Sequence, residues 1–152
     1  MARPLPEPVL FLDECLGTHD VAETLRAGGI CAEVLLDHFP SGTRDEVWLP
    51  EVGKRAWVVL SKDKWIRRRK IEKEALTNAR VAAFVLTSGD MTGTQMGRAF
   101  LLAYPRMRKI LRDFVVPFIA RVDASGRIHL LTDPRRRAAI RRKINPELTD
   151  LP

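Results

Sequence analysis

Five acids stand where acids are costly or where they could work together. Asp13 directly follows the apolar run "VLFL", and Asp63 closes "WVVLSKD". Asp90 ends "FVLTSGD", while Asp45 and Glu46 sit side by side in "TRDE". Carboxylates brought together repel, and their ionised forms are costly unless a cation compensates. Mg²⁺ and Mn²⁺ are the natural compensators, because hard ions favour oxygen ligands and keep several waters. Such an ion lowers the pKa of a water and neutralises charge on a phosphodiester under attack. Each acid also has a plainer use. Asp45 and Glu46 can serve a helix start, Asp63 can pair with Lys62 or Lys64, and Asp90 can shape a loop. Asp13 is the hardest to explain away.

A basic run begins just after Asp63. Lys62, Lys64, Arg67, Arg68, Arg69 and Lys70 lie within nine residues, with Trp65 among them. Cations at this place can hold phosphates, and an aromatic side chain can stack on an unpaired base. Trp65 can equally be core. The whole chain repeats this asymmetry. Residues 1–60 carry ten acids and five bases, and residues 61–152 carry nine acids and twenty-one bases. The net charge of +7 thus gathers in the second part, as in a cation site set beside an anion-binding surface. Further bases, Arg135 to Arg137 and Arg141 to Lys143, can extend the track or simply solvate a tail.

These groups need a scaffold that brings them together. The 152 residues suit one domain, residues 1–132, followed by a basic tail over 133–152. No apolar run reaches the ~18 residues of a membrane span, and the start "MARPLPEPVLFLDE" does not read as a secretory leader. Two cysteines, Cys15 and Cys31, are expected to be small reduced core residues, which suits a cytoplasmic protein. The three histidines have no zinc-like spacing.

Apolar runs at 8–13, 30–36, 56–63 and 81–90 read as strands. Helical patterns separate them. One is capped by Thr18 and stopped by Gly28-Gly29; another is polar, over 67–80, with Ile71, Ala75 and Leu76 inward. The longest starts at a capping box, "TGTQ" 92–95, and runs to about Arg112, with Met96, Phe100, Ala103, Met107 and Ile110 at core spacing and a kink expected at Pro105. "TRDE" 43–46 is a second capping box, and Pro50 implies either a separate short turn over 43–49 or a helix with Pro50 in its first turn that ends near Arg55. "VPFIARVDASGRIHLL" is a hairpin turning at 123–126. Alternation of this kind predicts a three-layer α/β/α sandwich with a mostly parallel central sheet. In such sheets functional groups collect beyond the carboxyl ends of the strands, which is where the acids fall.

"FLDECL", "DHFPSGTRDEVWLPEVGKRAWVVLSKDKWIRRR" and "FVLTSGDMTG" together resemble the PIN-like domain family, in its branch related to VapC-type toxins. The resemblance spans about residues 8–130, and the middle segment is its specific part. It implies an α/β/α metal-dependent ribonuclease that binds Mg²⁺ or Mn²⁺ and cleaves RNA. By position, Asp13 matches the acid ending the first strand and Asp63 the acid of the "KD" motif. Asp45 or Glu46 matches the acid of the middle helix, and Asp90 stands near a fourth position. The same resemblance implies a toxin whose cleft is masked by an antitoxin protein, and a homodimer. Two other classes compete: a non-catalytic RNA-binding or regulatory module, and a nucleotide-binding domain using "TSGDMTGT". The second lacks any Walker or G-x-G-x-x-G pattern.

Overall fold

A computed structural model describes residues 7–17, 19–62, 70–87 and 90–131, the side chains of 70–73 excepted. The chain alternates strand and helix: β1 (Leu10–Leu12), α1 (Asp20–Ala27), β2 (Ala32–Val34), α2 (Asp45–Lys54), β3 (Val58–Lys62), α3 (Lys70–Ala79), β4 (Ala82–Leu86), α4 (Gly93–Asp113), β5 (Phe118–Val122) and β6 (Ile128–Leu130). Short 3-10 turns at Glu14–Leu16 and Leu35–Asp37 follow β1 and β2. The six strands lie in the order β2-β1-β3-β4-β5-β6, parallel except for β6, which pairs antiparallel with β5. The expected sandwich is therefore the observed fold.

The strands are short and nearly all apolar because both faces of the sheet are covered. Leu10, Leu12, Leu60, Phe84 and Phe118 point to one face and pack with Leu25, Phe100 and Met107 of α1 and α4. Phe11, Val59, Ala83 and Ile119 point to the other, against Trp48, Leu49 and Val52 of α2 and Leu76 of α3. Glycine permits close approach on both sides. A Cβ on Gly97 would lie 2.6 Å from Thr24 Cβ, and one on Gly53 would lie 2.1 Å from the Ala79 carbonyl oxygen.

Several expectations change. Thr43 caps no helix; its hydroxyl donates to the Pro40 carbonyl at 2.6 Å, and α2 starts after Arg44. Neither a separate turn over 43–49 nor a first-turn Pro50 is found, since α2 is one continuous helix through Pro50, although it ends at Lys54 with Arg55 as its cap, as expected. Pro50 is exposed, so its ring meets solvent, and burial of Trp48, Leu49 and Val52 outweighs the lost hydrogen bond. The second strand ends at Val34 and turns into a 3-10 segment that leaves Leu36 exposed. Cys15 and Cys31 are exposed residues, not core. The Thr92–Gln95 capping box forms as expected, with both reciprocal hydrogen bonds, and α4 runs through Pro105 to Asp113. The turn at 123–126 is held by Asp123, whose Oδ1 accepts from Ser125 N, Ser125 Oγ and Arg127 N. Thr18, Ser88, Gly89 and the basic tail over 133–152 lie outside the described residues.

Candidate active site at the β1–β3 edge

The chain leaves β1 toward β2 on one side and returns to β3 on the other, so β1 and β3 flank the point where strand order reverses. Crossovers diverge there and open a crevice beyond the carboxyl ends. Asp13 stands at that point. Its backbone N–H donates to the Leu60 carbonyl at 3.0 Å, which extends the β1–β3 ladder by one residue and fixes where the side chain begins.

Asp13 is half-buried. Its Oδ2 accepts a hydrogen bond from Ser61 Oγ at 3.0 Å, and Ser61 is itself only 2% exposed. Burial raises the Asp13 carboxyl above its ordinary value of 3.8, while the Ser61 hydroxyl and the Glu14 N–H partly offset this by favouring the ionised form. Cys15 Sγ lies 3.5 Å from Ser61 Oγ and accepts from Lys62 N at 3.4 Å. The residue keeps an exposed edge, but its sulfur is tucked against Ser61 and Lys62, and this desolvation, followed by the charge of Asp13, pushes the thiol up to about 11. It therefore stays protonated near neutral pH and offers no thiolate. The donors gathered here are oxygens.

Glu14 ties a second element to this edge. Its Oε1 accepts from Ser41 Oγ and its Oε2 from Gly42 N at 3.2 Å, which holds its carboxyl below the usual range. Ser41 and Gly42 lie in the loop that leads into α2, so the turn after Asp13 grips the approach to Asp45. Asp45, the first residue of α2, is half-buried, and its Oδ1 accepts from Trp48 Nε1 at 3.1 Å. Trp48 is 2% exposed, which anchors that donor in the core. Glu46 is exposed in the same first turn.

Lys62 ends β3 and is half-buried. Asp90 is exposed and precedes the cap of α4. Asp63, Lys64, Trp65, Arg67, Arg68 and Arg69 lie outside the described residues, as does the side chain of Lys70, the first residue of α3. Among the described residues no three of His, Cys, Asp and Glu are grouped so as to hold a metal ion. Asp13, Asp45, Glu46 and Asp90 thus do not make a complete ligand set by themselves. An open depression of about 380 Å³, whose lining includes Cys15 but not Asp13, is bounded also by Gly17, His19, Asp20, Gly93 and Met96.

Sequence reasoning missed the parts played by Ser61 and Glu14. A signal for Ser61 was present: one hydroxyl inside the apolar run "WVVLSK" must find a buried partner. Glu14 gave none, because its partners lie 27 and 28 residues away.

A doubly wound, largely parallel sheet with an acid at its switch point places the chain in a broad class of α/β proteins that work at this edge. A family model described as a PIN like domain matches residues 8–88, which run from β1 through β4, and the chain belongs to that family. PIN-like domains are usually nucleases, which suggests a nuclease-type function at the level of the family. The matched span contains Asp13, Asp45, Glu46 and Asp63 but not Asp90. No curated protein and no solved structure matches the chain. Among the described residues, no helix is long and apolar enough to cross a membrane.

Proposed function

We propose that the protein is a Mg²⁺- or Mn²⁺-dependent endoribonuclease that hydrolyses RNA phosphodiesters. The observation that carries this reading is the half-buried Asp13 at the switch point, held by Ser61, with the approach to Asp45 pinned by Glu14. A carboxylate that burial disfavours in its ionised form, among oxygen donors and beside a protonated thiol, fits a hard divalent cation. Asp13, Asp45 and Asp63 are the proposed ligands, with Asp90 a fourth from the approach to α4. Asp45 is the better placed of the "DE" pair, because Trp48 fixes its carboxylate while Glu46 is exposed. When bound, the ion would neutralise the phosphate and acidify a water. Ser61 keeps Asp13 oriented, and Glu14 keeps the two acid-bearing elements together. Glu46 is the candidate to accept the proton of the attacking water. Lys62, Lys64, Arg67, Arg68, Arg69 and Lys70 would hold the strand by its phosphates, with Trp65 against a base.

The same reading extends to a cytoplasmic toxin paired with an antitoxin protein, and to a homodimer. Those steps rest on the family resemblance. The test is to titrate Mn²⁺ into the wild type and Asp63→Asn, following thermal stability and cleavage of a labelled single-stranded RNA. The wild type should gain stability and cleave, and the variant should do neither. Equal behaviour of the two proteins sinks the nuclease reading, and RNA binding without cleavage by either favours a non-catalytic RNA-binding module.

A further inference from the structure

The cations of α4 play no part in the cleft chemistry, and their arrangement asks for a partner. At 100° per residue, the buried stripe of α4 (Met96, Phe100, Ala103, Met107) leaves Arg98, Lys109 and Arg112 on the opposite arc, with Arg106 and Arg108 on its two flanks, all exposed. The only acid in the helix is Asp113, at its last position. Among the described residues, the ion pair these cations make is Arg112 with Asp113, at 3.6 Å. A solvated helix face normally mixes signs, because like charges three or four positions apart repel. Here Arg106 and Lys109, Lys109 and Arg112, and Arg108 and Arg112 are such pairs. The helix dipole favours cations only in the last turn, so it accounts for Arg112 and leaves Arg98 and Arg106 unexplained.

The surface is also built outward from the helix. Arg106 Nη1 donates to the Gly126 carbonyl at 3.2 Å, which brings the hairpin turn and the exposed Arg127 to the same side. From Arg98 to Arg112 the cations extend roughly 21 Å along the axis, enough for several phosphates of one strand. The apolar members of this arc are Leu101, Leu102 and Pro105, and the aromatic beside it, Tyr104, is buried under Arg108, whose guanidinium lies 6.0 Å from the ring centre. The face therefore offers charge without a stacking platform, which suits a sugar–phosphate backbone and not bases. Its beginning is near the cleft, since Gly93 and Met96 line the depression beside Cys15.

We propose that the outward face of α4, continued by Arg127, is a second, sequence-independent binding surface for the backbone of a nucleic acid whose reacting segment lies at the β1–β3 edge. This deepens the nuclease reading and rests on it for the second half of that sentence. The test compares the wild type with Arg98→Gln/Lys109→Gln/Arg112→Gln, which spares the Arg106 hydrogen bond; a matching thermal unfolding curve verifies its fold, and Lys109→Glu alone replaces it if it does not fold. Binding of a long labelled stem–loop RNA is measured in chelator over a salt series, and cleavage of a short labelled single strand is measured with Mn²⁺. The variant should bind the stem–loop at least about tenfold more weakly, with a log–log salt slope shallower by about 2–3, while short-strand cleavage is unchanged. An unchanged slope and affinity overturn the surface, even if the short strand is cleaved. If neither protein cleaves but the slope still falls, the surface stands and the nuclease reading fails. Loss of binding to anionic lipid vesicles with RNA binding intact overturns it in favour of a membrane.

Discussion

The two faces of the sheet are held down in different ways. On one, α1 and α4 meet through small residues, with Gly93 and Gly97 against Asp20 and Thr24. On the other, α2 and α3 cover an aromatic group in which Phe11 lies 5.4 Å from Trp48 and 5.8 Å from Trp57, ring centre to ring centre. At Gly97 and Thr24 the first face is a matter of fit. The second is coupled to the site, because Trp48, buried in that cluster, also donates to Asp45. A change at Gly97, away from the acids, should therefore alter stability without altering chemistry, whereas a change beneath α2 should alter both.

The largest test of this contrast is Gly53→Ala. Its new Cβ would meet the backbone carbonyl of Ala79, which cannot rotate away, so α2 and α3 must separate. A loss of about 2–3 kcal/mol is expected in denaturant unfolding, together with reduced cleavage, because α2 carries Asp45. Gly97→Ala should lose less, about 1–2 kcal/mol, since alanine regains helix propensity against the Thr24 clash. Cleavage per folded molecule should stay at the wild-type value. A parallel loss of activity in Gly97→Ala would erase the distinction between the faces.

Trp48→Phe sharpens the point. It keeps most of the buried ring but removes the donor to Asp45, at a cost of about 1 kcal/mol. Cleavage should fall by roughly tenfold through misplacement of the carboxylate. Intact cleavage would show that Trp48 matters only to packing.

The smallest expected shift in stability is at Asp13, and there the sign depends on pH. Burial raises its folded pKa above 3.8, so the protonated form favours the folded state. That contribution is fully present below the unfolded value and disappears as pH rises through the folded value. At neutral pH the ionised Asp13 therefore costs stability. In the absence of divalent ions, Asp13→Asn should melt slightly higher than the wild type at pH 7, and the gap should close as pH falls below 3.8. A gap that widens on acidification would contradict the burial of this carboxyl.

Much of this molecule could be read from residue order. The apolar runs followed by helical patterns give the α/β alternation, because a strand buried on both faces and a helix buried on one leave different periods in the chain. Thr92 and Gln95 announce the start of α4 because a capping box is local chemistry. Asp13 was legible as an acid in need of a partner because a charge after four apolar residues must be accounted for, and Ser61 supplies that partner. The start of α2 was not legible. "TRDE" looks like a cap, yet Thr43 is taken by Pro40, and the loop is instead held by Glu14 from a distant part of the chain.

Residue order alone set the sequence of elements, the apolar character of each strand and the acids beyond the strand ends, since these depend on neighbours along the chain. Which face of the sheet each helix takes came instead from long-range packing. The β3-to-β4 and β4-to-β5 crossovers both move one strand in the same direction, and a uniform crossover hand would set α4 beside α3. It lies beside α1 instead, where Gly93 and Gly97 accept Asp20 and Thr24. Such complementarity between surfaces some 70 residues apart has no trace in local propensity. For the same reason, only the fold could bring Ser61 under Asp13 and the start of α2 to the edge of β1.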